Sequence, residues 1–336
     1  RVLRERAQRG LVVESADETG FKAGPTPDWF ALPDHAVLAL EGRDAAAFAQ
    51  AQLMNDVMAV EEGRWQWNGW LTPKGRVIAL FALLRPTPDT VWLLVPDADP
   101  AEIAERLRRF VFRSKLTIAV RTDLHVSGRF AAARDEDGGS SDDDRPCDER
   151  RDGILALPDG SRVLDLGGDG GPRSLRISTG AASEAPGGLA QWRRFDLAHG
   201  WPRLDASQRE QWTPQQLSLD RLRAFSVKKG CYPGQEIVAR THFLGQAKRG
   251  LDLVETAGAM QPGETLREDD AADAAAAGIV VCAEGRLALA VLPLLPAGAA
   301  GVIVDGLPGA ETPETARPAL GGASWRRMRM AGGLER

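Results

Sequence analysis

The chain has 336 residues, 43% of them hydrophobic and 26% charged, which excludes wholesale disorder or a fibrous repeat and is too long for one core, so two or three modules are expected. Forty-two basic against 47 acidic side chains leave a net charge of -5, which argues against stable, sequence-blind DNA binding but leaves room for a local basic patch. No apolar run approaches the roughly 18 residues of a membrane span; the richest, residues 289–300, is cut by Pro293 and Pro296.

Residues 1–33 mix charges with Gly, Pro and Thr and are read as a loosely held arm. Their first charges have no apolar stretch behind them, so no signal peptide is expected, and a start at Arg1 leaves upstream residues open. Three cysteines, an odd and low number, favour a reducing compartment, taken as the cytoplasm. A strand is expected over 35–40. Asp44 is the expected N-cap of a helix through Met54. Strands follow over 65–71, after the alternation of Trp65 and Trp67 with Gln66 and Asn68, then over 76–84 and 91–95. Thr72-Pro-Lys-Gly75 is the turn between the first two. Pro100 starts a helix with Ile103 and Leu107 on its apolar stripe, and residues 116–120 form a further strand. This order predicts an antiparallel sheet backed by helices, an α+β layer. Residues 131–152, rich in Asp, Gly and Ser, are expected to stay disordered. Short strands are expected over 154–157 and 162–166, and 181–188 reads as a connector of small residues. From about residue 250, short apolar runs separated by turns suggest a small β-barrel or sandwich, with strands at 251–254, 278–282, 287–292 and 301–304.

The segment from Ser226 to Thr241 is the richest in chemistry. Gly230 and Gly234 allow sharp turns on either side of Cys231-Tyr232-Pro233, and Pro233 holds Tyr232 extended. Beyond them, Gln235 to Arg240 reads as a helix or a strand, with Glu236 favouring the helix. Lys228 and Lys229 precede the thiol, so Cys231 is expected to have thiolate character, with Lys229 holding the charge. Arg240 and His242 with Lys248 and Arg249 form either an anion site, weakly attractive to RNA or an acidic partner, or a solvated basic edge. Cys147, Cys231 and Cys282 lie too far apart in sequence for a cluster site, and the four histidines are scattered, so no metal site is expected.

The run from Lys229 to Glu236 resembles the signature K-G-C-Y-x-G-Q-E of the YgfZ family, folate-binding proteins of iron–sulfur cluster assembly and repair. The resemblance extends to Leu40-Glu-Gly-Arg-Asp44 with Gln52-Leu-Met-Asn-Asp-Val57, to Leu71-Thr-Pro-Lys-Gly-Arg76, to Arg109-Phe-Val-Phe-Arg-Ser-Lys115 and to Trp212-Thr-Pro-Gln-Gln-Leu217, covering roughly residues 34–300. It implies the ring fold of the glycine cleavage T-protein: two discontinuous α+β domains and a C-terminal β-barrel around a hole for tetrahydrofolate. Residues 34–60 with 190–246 would make the folate-binding domain carrying the cysteine loop, 61–189 the second, and 247–325 the barrel. The loop would then pack back against residues 35–57.

By the same resemblance, Trp192 matches a folate-site tryptophan of bacterial members, and His35 stands where a second tryptophan is expected. Lys74 would orient folate or a partner, and Arg240 would serve the folate site. Cys231 and Lys229 would act chemically, on a loop of Gly230, Tyr232, Gly234, Gln235 and Glu236 fixed by hydrogen bonds from the last two. The implied role is that of a tetrahydrofolate-binding accessory protein serving iron–sulfur enzymes or assembly proteins, tRNA-modifying methylthiotransferases included. The alternative is aminomethyl transfer. Its R-x-E-A-G element would fall on Asp196-Leu-Ala-His-Gly200, with Ala198 in place of the glutamate, which argues against it.

Overall fold

The computed structural model describes residues 29–131, 152–168, 171–245, 247–267, 275–294 and 325–331. Residues 1–28 of the arm expected over 1–33, the acidic loop with Cys147, and the strand at 301–304 lie outside them; the described end of that arm is not loosely held, because Phe30–Ala31 form a strand and Phe30 and Leu32 are buried. The described strands form three five-stranded sheets with antiparallel pairing throughout.

The first sheet has the order β3-β4-β5-β2-β6, from β2 (His35–Glu41), β3 (Arg64–Leu71), β4 (Val77–Thr87), β5 (Thr90–Pro96) and β6 (Thr117–Val120). It is buried on both faces, which is why residues 77–84 read as one unbroken apolar run. Leu38, Leu40, Phe81 and Leu83 face the helices α1 (Ala45–Gln52) and α2 (Pro100–Arg108); Val37, Leu80, Leu84, Trp65 and Trp67 face the main core. The two-residue alternation of β3 puts Trp65, Trp67 and Leu71 on the main-core face and Trp70 on the other. Asp99 caps α2 by accepting from the Ala101 amide at 2.9 Å. Asp44 does not cap α1 with its side chain. Its carboxylate accepts from the Lys115 amide at 2.6 Å instead, fixing the approach to β6.

The second sheet, β1-β7-β10-β9-β8, is built from β1 (Phe30–Ala31), β7 (His125–Arg129), β8 (Ile154–Ala156), β9 (Arg162–Asp165) and β10 (Ser174–Ser178). The third, β12-β13-β14-β11-β15, contains β11 (Arg249–Thr256), β12 (Thr265–Arg267), β13 (Ala276–Glu284), β14 (Leu287–Pro293) and β15 (Trp325–Met328). Helix α3 (Pro186–Ala198) touches β1 of the second sheet and β13 and β14 of the third. It begins inside the segment expected to be a connector, with Pro186 in its first turn.

One boundary differs from expectation, and one expected contact falls within its bounds. Strand β2 sits between β5 and β6, so the first sheet runs across the division expected at residues 60 and 61. The cysteine loop, for its part, meets residues 50–55: the Ser226 amide donates to the Met54 carbonyl at 2.9 Å, and Asn55 Nδ2 donates to the Arg223 carbonyl at 2.7 Å.

Candidate functional site

The expected site residues fall into two groups. The first surrounds a small internal space bounded by His35, Trp67, Trp192, Asp196 and Trp201, with Leu94 and Leu164 among its apolar walls. Trp192 is brought there by α3. Its ring lies against the second sheet because β7 offers Gly128 beneath it, where a Cβ would come within 2.8 Å of the indole. Trp67 stacks on Trp201 with ring centres 4.0 Å apart and planes at 29°. The space measures about 20 Å³, room for about one water molecule.

Around this space runs a buried network of charges. Arg173 lies between the rings of Trp192 and Phe195, at 4.1 and 4.0 Å, and donates to Asp196 Oδ1 at 2.8 Å. Arg203 donates to Asp196 Oδ2 at 2.8 Å, to Asp34 Oδ2 at 2.6 Å and to both oxygens of Asp97. Arg193 also holds Asp34, which bonds His35 Nδ1 at 2.7 Å. Burial alone would raise the Asp34 pKa. The His35, Arg203 and Arg193 contacts outweigh it and keep this carboxyl well below the usual carboxylate range. Sequence reasoning singled out His35 and Trp192 here but missed Trp67, Trp201, Asp196 and Arg203 as site residues. The alternation around Trp67 marked a strand without marking its destination.

The second group is the cysteine loop. Lys229 is buried and does not hold the thiolate charge, contrary to expectation. Its Nζ donates to the carbonyls of Gln50, Leu53 (2.6 Å) and Asn55 (3.1 Å), at and just beyond the C-terminal end of α1. Burial pushes its pKa down to about 8. The ammonium form remains the majority at neutral pH, and three carbonyls require it, since a neutral amine has two hydrogens to donate. The loop is braced further by Tyr232, whose hydroxyl donates to the Ser226 carbonyl at 3.0 Å, and by Gln235, whose Nε2 donates to the Lys229 carbonyl at 3.0 Å. Glu236 is exposed in the first turn of α4 (Gln235–Leu244) and takes no part in these bonds.

Gly234 precedes α4 with φ at 82°, a conformation glycine adopts without cost. It lies against the turn between β3 and β4, its missing side chain replaced by Thr72 O and Gly75 Cα. That contact brings the Lys74 turn to the loop, with Lys74 exposed. The loop is thus fastened on one side to α1 and on the other to the hairpin, and Cys231 is exposed between Gly230 and Tyr232. Cys282, by contrast, is buried in β13, where burial pushes its pKa up to about 12. Arg240 is exposed on α4 and joins neither group. None of the residues bounding the internal space belongs to the cysteine loop. Among the described residues no cluster of three or more His, Cys, Asp or Glu could hold a metal, and no helix is long and apolar enough to cross a membrane.

No family model matches the chain. Among curated proteins it is 30% identical over 252 residues to the tRNA-modifying protein YgfZ of Cronobacter sakazakii, covering 70% of this chain and 74% of that one. It is 25% identical over 269 residues to the protein of the same name from Aliivibrio fischeri, with 78% and 84% covered. Among solved structures it is similar to the glycine cleavage system aminomethyltransferase T from Bartonella henselae, with a TM-score of 0.60 at 14% identity, covering 79% and 78% of the two chains. That likeness shows an α+β fold of the T-protein kind.

Proposed function

This chain belongs to the family of the tRNA-modifying protein YgfZ, and from that premise we propose that it is a tetrahydrofolate-binding accessory factor for iron–sulfur enzymes, those that modify tRNA among them. The observation that carries the proposal is the presentation of one thiol. Cys231 is exposed on a loop braced from two sides, whereas a cysteine kept only for packing would resemble Cys282, sealed in a strand. A rigid, outward-facing sulfur suits chemistry at a contact with a partner.

The lining of the internal space fits a folate in chemical kind. The indoles of Trp192 and Trp201 line it, and His35 offers a hydrogen-bonding group. Its volume does not admit a pterin as it stands, so binding requires the walls around Trp67 and Trp201 to part. When bound, the cofactor would supply one-carbon chemistry; the chain's part is to stack on the ring and exclude water. Aminomethyl transfer has less support. Ala198 is buried and offers no carboxylate where the transferase glutamate is expected, and both oxygens of the nearby Asp196 are engaged by arginines.

The test is complementation in cells lacking a factor of this family, with methylthiolated tRNA read by mass spectrometry. The chain restores the modification, and Cys231→Ser leaves it at the empty-vector level. Full restoration by the serine variant would leave only a folate-holding scaffold. In parallel, tetrahydrofolate raises the melting temperature by mass action, and no shift at saturating ligand would exclude the internal site.

A further inference from the structure

A second cavity, of about 300 Å³, opens beside the cysteine loop's helix. Arg76 reaches it from the β3–β4 hairpin, Thr213 and Gln216 from the turn after Trp212, Thr241 from α4, and Lys248 and Arg249 from the start of β11. Elements far apart in sequence thus deliver three cations and three polar side chains to one concavity. None of the three cations has a carboxylate partner among the described residues. Arg76 is not loose. Its Nη1 donates to the Gln211 carbonyl at 2.6 Å and to Gln216 Oε1 at 3.3 Å. Gln216 Oε1 also accepts from the Thr213 amide at 3.0 Å and hydroxyl at 3.2 Å, and among the described residues its Nε2 has no hydrogen-bond acceptor.

This is a donor-rich cleft. A lone small carboxylate would leave several of its donors unused, whereas successive phosphate groups present oxygens at several points. On the same helix, His242 and Phe243 are exposed just beyond Thr241, Phe243 to 66%. Phe243 is two positions beyond Thr241 and so on another side of the helix, but single-stranded nucleic acid commonly meets cations with its phosphates and an exposed aromatic ring with a base, and this helix carries such a ring. We propose that this cleft binds the phosphodiester backbone of RNA, with Phe243, elsewhere on the same helix, stacking on an unpaired base. The proposal deepens the reading of the chain as a factor in tRNA modification and rests on it. It places a nucleic-acid contact on the helix that follows Cys231.

The whole chain is titrated against a fluorescein-labelled single-stranded oligouridylate at salt between about 50 and 200 mM, with neither folate nor a partner enzyme present. The double variant Lys248→Gln/Arg249→Gln is expected to bind about tenfold more weakly and to lower the slope of log K against log salt by about 1.4, since each lost phosphate contact on a single strand removes about 0.7. Phe243→Ala weakens binding without changing that slope. Arg43→Gln, a cation elsewhere on the surface, changes neither. The proposal is overturned if the unaltered chain does not bind at low salt, or if the double variant keeps the affinity and slope. Equal loss in Arg43→Gln would also overturn it, as would polyglutamate of equal charge competing as well as the RNA, which marks an acidic protein instead. Because folate and client are absent, failure here leaves the complementation result standing, and failure of complementation leaves this binding measurable.

Discussion

At Gly234 the backbone takes φ of 82°, and the position a side chain would occupy is filled by Thr72 O at 2.6 Å and Gly75 Cα at 2.8 Å. An alanine meets two obstacles there, the left-handed conformation, worth about 1–2 kcal/mol, and backbone atoms that cannot move without shifting the hairpin. Gly234→Ala is therefore expected to destabilise the chain by about 2 kcal/mol or more, read as a lower urea midpoint; an unchanged midpoint would show that the hairpin yields. The turn at this glycine was legible in the sequence, as were the glycines framing the thiol. The direction of Lys229 was not. Adjacency placed its ammonium beside the sulfur, but the partners it reaches lie 174 to 179 positions earlier in the chain, and no local pattern encodes that distance.

Helix α1 is eight residues long and has no basic residue in its own last turn. The cation near that end comes from elsewhere: Lys229 serves the Gln50 carbonyl in the helix and those of Leu53 and Asn55 just past it. Lys229→Met keeps most of the apolar stem and removes all three donors, leaving buried carbonyls unpaired. The expected loss is about 2–3 kcal/mol, measured by denaturant unfolding with an unchanged slope; a loss below about 0.5 kcal/mol would mean that water replaces the ammonium. Sequence periodicity located the strands of the first sheet and helices α1 and α2 because each has one dominant apolar pattern. It did not locate α3, whose first turn is Pro and Gly and whose buried face includes Asp196, a charge that no hydrophobic pattern would place inside. The run after Gly234 stayed open between helix and strand because only Val238 of α4 is buried, leaving no stripe to read.

Across the molecule, Arg203 gathers Asp34 from the approach to β2, Asp97 from the end of β5 and Asp196 from α3, while its amide donates to Cys282 Sγ of β13 at 3.3 Å. Since the folded pKa of Asp34 lies below its ordinary value of 3.8, its contribution to stability is full above that value and is lost as pH falls towards the folded pKa. The melting temperature is expected to drop more steeply below about pH 4 for the unaltered chain than for Asp34→Asn; parallel curves would assign acid sensitivity to other carboxylates. The three-part α+β plan was legible through the family signature, which carries long-range arrangement that composition cannot. The division at residue 60 was not, because the pairing of β2 with β5 and β6 joins segments that sequence order keeps apart. The Trp67–Trp201 contact has a consequence for any guest of the interior. The two indoles already satisfy each other's faces, so a planar visitor competes with a lock made of the same material as its own binding surface. Its measured affinity is lowered by the rarity of the unlocked state, and a substitution that weakens the lock tightens the guest while loosening the empty protein.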